Sequence, residues 1–229
     1  MNEVEKTAQN ENSVLDSLND AYINKKRRIK KSIYSVILSV IFALATIIIV
    51  MSSIRVDLKP SFVVDPELYT VCIAGKEKVY EQSNQKFEEF HQIYEDAFNV
   101  SYLTALFTGK LGGYKPVEDI NSKFYYTEST KTGMHSDLSK ALGNNYIKLS
   151  YANQLQIKNA DGSVYYSDYN TTCDLTFEDV YFPLNTEDKD ADLTFFFGTT
   201  GIGMGYTITK ITVRANTFAL YEFASENLN

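Results

Sequence analysis

The densest group of chemistry-bearing side chains is Glu187-Asp188-Lys189-Asp190-Ala191-Asp192. Hard cations such as calcium take clustered carboxylate oxygens on a flexible loop, so Asp188, Asp190 and Asp192 are the candidate metal ligands and calcium is the ion they suit. The run departs from an EF-hand loop at both diagnostic places. Leu193 stands where the turn glycine belongs, and Thr199 stands where the bidentate glutamate belongs. A solvated acidic loop between two strands accounts for the same residues, and no other cofactor is expected.

Other constellations are thinner. The chain has two histidines and two cysteines and carries no HExxH or CxxC pattern, which argues against a zinc centre. His91 reads as a packing or surface residue on a helical stripe, and with only His91 and His135 on hand no serine or cysteine has an identifiable base partner. The glycines at 198, 201, 203 and 205 imitate a phosphate loop, but a phosphate loop opens a helix, whereas TITKITV downstream alternates like a strand. A glycine-rich hairpin is expected instead, and the chain is not expected to be an enzyme. Tyr165, Tyr166 and Tyr169 offer aromatic faces to a ligand such as a glycan. Cys72 and Cys173 are the candidate disulfide pair, whose loop would contribute about 4 to 5 kcal/mol by chain entropy. Asn99-Val-Ser101 and Asn170-Thr-Thr172 match the glycosylation pattern, the first on an expected helix.

The elements that must position these residues begin with a membrane span. Residues 32–54 contain no charged side chain, and 17 of these 23 residues are apolar. A helix of that length reaches about 34 Å, slightly more than a hydrocarbon core of about 30 Å. KKRRIKK precedes it, against only Arg55 and Lys59 shortly after, so residues 1–31 are expected as a largely disordered cytoplasmic tail and the remainder outside the cell membrane. The stretch is too long for a cleaved signal and Ala43 and Ala45 lie mid-span, which favours an uncleaved signal anchor. Ser35, Ser39 and Ala43 recur at four-residue spacing, a surface that lets a second helix approach, in a homodimer or against a protein partner. Charge divides at the same place. The tail carries seven basic and five acidic residues, and residues 55–229 carry 15 basic and 24 acidic, within a total of −7. So acidic an outer domain excludes nucleic acid as a partner.

Residues 55–66, with Pro60 and Pro66, read as a linker, and 67–229 as the folded domain. From Lys78 to Phe107 the apolar spacing predicts one long helix, with Phe87, Phe90, Tyr94 and Ala97 three or four apart. After Pro116 the period becomes two. SKFYYTE at 122–128, Ile147 to Tyr151 and Leu155 to Ile157 ahead of an NADGS turn at 159–163, Cys173 to Phe177, Leu193 to Phe197 and Phe218 to Phe223 read as strands. The alternation slips between Ile208 and Ile211, which predicts a bulge. The fold class is therefore α+β: one N-terminal transmembrane helix, then a β-rich sandwich or jelly-roll-like ectodomain carrying one long helix.

LTFEDVYFPLN at 175–185 and ADLTFFFGTTGIGMGYTITKITV at 191–213 resemble the closing strands of jelly-roll carbohydrate-binding modules. The resemblance covers about 40 residues and implies sugar binding on a jelly roll. The chain has no Trp to stack on sugar rings and adds a helical region foreign to that pattern. The functional expectation is a single-pass, membrane-anchored binding or interaction module. The alternatives are a carbohydrate- or cell-wall-binding module, a structural subunit of a membrane complex, and an anchored hydrolase.

Overall fold

The computed structural model describes residues 3–123, 136–166, 174–201 and 205–228, with side-chain detail for 22–117, 138–166, 174–198 and 208–228. The chain divides into two compact units, Met1–Met51 and Ser52–Asn229. The first is built from α1 (Glu3–Ser53), whose backbone is helical well before the apolar stretch, where a disordered tail was expected. Tyr22–Ser53 is long and apolar enough to cross a membrane, and none of its most apolar window is buried within the chain.

The second unit is α+β and rich in sheet. Its strands are β1 (Arg55–Asp57), β2 (Leu68–Ile73), β3 (Lys76–Glu81), β4 (Asn99–Ser101), β5 (Val117–Lys123), β6 (Asn145–Gln156), β7 (Thr176–Pro183), β8 (Ala191–Gly201) and β9 (Gly205–Ala215). The helices are α2 (Phe87–Asp96), α3 (Tyr102–Phe107), α4 (Ser136–Leu142) and α5 (Phe218–Glu226). β1 and β4 form a two-stranded ribbon, and the other seven strands form one antiparallel sheet in the order β3-β2-β6-β7-β8-β9-β5. The layer over the main core is made by α2, α5 and the ribbon, where a second large sheet was expected.

Alternation along the strands explains why this sheet has two covered faces. Tyr69 and Val71 of β2, Ile147 and Leu149 of β6, Val180 and Phe182 of β7, Phe195 and Phe197 of β8, and Ile211 and Val213 of β9 all join one buried cluster with Phe90 and Tyr94 of α2 and Leu220 of α5. The intervening residues Cys72, Tyr146, Tyr181, Phe196 and Ile208 form a second cluster on the other face, beneath Leu138 and Leu142 of α4. The slip between Ile208 and Ile211 is thus a change of face. The β8–β9 register runs without a break from Ala191↔Ala215 to Gly201↔Gly205, and no bulge occurs there.

Three expectations are corrected. The helix predicted over Lys78–Phe107 is strand, helix, strand and helix in turn, because Tyr80 faces the core as part of β3 and Asn99–Ser101 pairs with β1. Asn99 accordingly lies on a strand. Phe218 to Phe223 belong to α5, with Leu220 and Ala224 buried four apart and Asn216 Oδ1 accepting from the Phe218 amide at 3.2 Å. Residues 55–66 are no free linker, since Leu58 N donates to Phe98 O at 3.1 Å and Phe62 and Val63 are buried. Of the strand expected at 122–128, residues 124–128 lie outside the described residues.

The β2–β3 hairpin turns on Ala74 and Gly75, both at positive φ (50° and 79°), which is the type I′ geometry that matches the twist of the flanking strands. Alanine is poorly suited to that conformation, whereas asparagine visits it readily. Ala74→Asn should therefore raise the unfolding free energy by about 0.5–1 kcal/mol, measured by urea denaturation of the full chain in detergent. An unchanged or lower midpoint would contradict the strained-turn account.

Candidate functional site

An open cleft of about 650 Å³ lies where the end of α2, the β1–β4 ribbon, the β7–β8 loop and the start of α5 meet. Asn216 is its hub. Its amide N donates to Ala97 O at 2.8 Å, and its side-chain Nδ2 donates to Asp188 Oδ1 at 2.8 Å, so one residue ties the β9–α5 corner to both α2 and the acidic loop. Thr217, fully buried, accepts from the Asn185 amide at 2.8 Å and fixes the other end of that loop. Asp96, Asp188, Asp190 and Glu222 line the cleft with Arg55 as the cation among them, over a floor that includes Ile93 and Phe218. Four carboxylates against one guanidinium give the cleft a negative field, set beside partly apolar lining.

The structure separates several residues that the sequence places together. Asp188 and Asp190 line the cleft, whereas Asp192 faces Arg214 at 3.4 Å and Glu187 pairs with Lys189. Tyr165 is buried in the main core and Tyr166 is 48% exposed, so these neighbours point to different environments; Tyr169 lies outside the described residues. Cys72 is buried with Sγ 3.7 Å from the Asn144 carbonyl, and its pairing with Cys173 lies outside the described residues, as does the sequon at Asn170. On α1, Ser39 Oγ donates to Ser35 O at 2.9 Å, which satisfies the hydroxyl within the helix and leaves Ser35, Ser39 and Ala43 exposed. No family model, curated protein or solved structure matches the chain.

A second grouping of titratable side chains lies beside α2. Asp65, His91 and Glu95 bring one ligand-type atom each to within 4.8 Å of the others. His91 and Glu95 stand one helical turn apart, a spacing visible in the sequence, whereas Asp65 arrives from the loop before β2. Tyr69 Oη lies 2.5 Å from His91 Nδ1, Lys59 Nζ lies 2.5 Å from Glu95 Oε1, and Tyr151 Oη donates to the Val64 carbonyl at 3.0 Å.

Burial raises the pKa values of the Tyr69, Tyr94 and Tyr151 phenols, and the charges of Asp65 and Glu95 raise them further. An acid whose pKa is raised by folding keeps its proton in the native state while the unfolded chain gives it up. Its stabilisation is complete below the ordinary phenol value of about 10 and is lost as pH climbs above it. Alkaline titration followed by tyrosinate absorbance should therefore show the exposed phenols ionising first and these buried ones ionising together with the loss of near-ultraviolet dichroism. Ionisation of all phenols near pH 10 with the fold intact would refute it.

Proposed function

We propose that the protein is a single-pass, membrane-anchored interaction module. The 32–54 segment crosses the bilayer, the basic N-terminal region stays on the cytoplasmic side, and residues 55–229 are displayed outside, where they bind a protein partner rather than catalyse a reaction. The observation that supports this reading is an uncovered apolar helix joined directly to a folded domain with an open acidic cleft. Side chains such as Ile33, Ile37, Phe42 and Ile49 are more than half or nearly half exposed, and lipid is the solvent that removes them from water. Lys25 to Lys31 precede the span and favour the inside orientation.

The ectodomain on this reading is a three-layered body, with the seven-stranded sheet between α4 on one face and α2, α5 and the ribbon on the other. Its cleft, lined by Asp190 and Glu222 among its carboxylates, favours a partner presenting lysine or arginine beside an apolar residue. Ser35, Ser39 and Ala43 supply a second contact surface within the membrane, for another copy or for a partner's span.

Alkaline carbonate should leave the chain in the membrane pellet, and protease added outside intact cells should digest the C-terminal region. A photo-crosslinking residue placed at Ala219 should give a discrete protein adduct that Asp190→Lys with Glu222→Lys abolishes, while the same probe at exposed Val79 gives none. Carbonate release, or cleft adducts indifferent to charge reversal, would overturn the reading.

A further inference from the structure

We propose that Asp65, His91 and Glu95 form a binding site for a divalent first-row transition ion such as Zn²⁺ or Co²⁺. The site lies apart from the acidic cleft and its argument does not depend on membrane anchoring. His91 Nε2 is 3.9 Å from Asp65 Oδ1, and all three ligand atoms lie within 4.8 Å of one another. Bonds of about 2.0–2.2 Å in a tetrahedral site put ligand atoms roughly 3.4 Å apart, so closing this set requires shifts of roughly an ångström. Asp65 can make such a shift: its side chain is 72% exposed, while the backbone on either side is pinned by Val63 N to Pro60 O at 2.9 Å and Glu67 N to Ser150 O at 3.1 Å.

The ligand chemistry selects the ion class. One imidazole with two carboxylates suits zinc, cobalt, manganese or nickel, whereas calcium wants six or more oxygens. Three protein ligands leave an open position, as at catalytic zinc. His91 Nδ1 is engaged by Tyr69 Oη at 2.5 Å, so when Nδ1–H donates to that phenol oxygen, the Nε2 lone pair is left free on the side of Asp65 Oδ1, 3.9 Å away. That is the supporting contact a metal-bound histidine ordinarily has, and it makes Tyr69 a positioning residue.

An independent observation points to a ligand. The Tyr94 hydroxyl is fully buried and has no hydrogen-bond partner, a condition it shares among the described residues with Tyr80 Oη, Asn185 Nδ2 and Arg214 Nε. The Tyr94 ring lies 6.3 Å from the His91 ring, centroid to centroid. A solvent molecule carried by the ion would give the hydroxyl a partner. Lys59 is the built-in competitor, because its ammonium holds Glu95 Oε1 at 2.5 Å and lies 5.3 Å over the Tyr94 ring. An arriving dication must displace or share that pairing.

The test uses the full, untagged chain in detergent, with Co²⁺ as the probe read by its visible ligand-field bands and Zn²⁺ by calorimetry. One equivalent should bind. Asp65→Asn, at an exposed position, should weaken binding by more than the roughly 10–100-fold that Tyr69→Phe costs through the histidine, with the metal-free melting temperature unchanged. Lys59→Met should tighten binding, a gain that misfolding cannot produce. Absence of Co²⁺ bands, or binding that persists undiminished in Asp65→Asn and is indifferent to Lys59→Met, would overturn the proposal.

Discussion

The position of Phe98 is the constraint on which the outer domain depends. It follows α2 by one residue, is fully buried, and packs against Phe182 of β7 at 6.1 Å and Phe195 of β8 at 5.4 Å between ring centroids. Its carbonyl accepts from Leu58, and the neighbouring Ala97 carbonyl accepts from Asn216. One aromatic anchor thereby fixes the end of α2, the ribbon and the β9–α5 corner against the centre of the sheet. Edge-to-face and offset contacts of this kind add about 0.5–1.5 kcal/mol each beyond burial, and they extend here through Phe195, Phe197, Phe177 and Phe62. The cleft is the space left where the elements held by Phe98 stop short of the β7–β8 loop.

A seven-stranded sheet with apolar residues on both faces imposes a second demand. Every central strand must be covered twice, and α4, short as it is, covers the second face with Leu138 and Leu142. Cations complete that cover. Lys148 lies 5.7 Å over the Tyr181 ring and Lys210 lies 5.8 Å over Phe196, so long basic side chains shield aromatic rings where helix is lacking. A fold so covered has no need of a second sheet.

What could be read from the sequence follows from which forces are local. The alternation of Leu193, Phe195 and Phe197, the turn at Gly162 with φ of 83°, and the apolar run of α1 all depend on neighbours in the chain, and they appear as expected. Helix α2 was visible in the spacing of Phe87, Phe90 and Tyr94, but its ends were not. β4 exists only because β1, 44 residues away, pairs with it at Val56↔Val100. FALYEF reads as strand because it is short and rich in aromatic residues, while the buried pair Leu220 and Ala224 reports a helix only once its length is known. Two-faced burial looks like a phase error when a one-faced sheet is assumed, which is why Ile208 suggested a bulge. His91 reads from the sequence as a packing or surface residue, because Asp65, which the fold brings beside it and Glu95, comes from the loop before β2.

Glu95 and Asp96 make the organisation of the domain plain. Consecutive helical residues point about 100° apart, so one step along α2 carries a carboxylate from the Asp65–His91 group to the wall of the acidic cleft. The two sites share a rigid element without sharing ligands. Any ion or partner that shifts α2 along its axis must move both, because Phe90 and Tyr94, buried on the face between them, are locked against Tyr80 and Tyr69. Coupling between the sites therefore requires repacking of that aromatic face, and a core packed to crystal-like density resists such a change except between discrete arrangements.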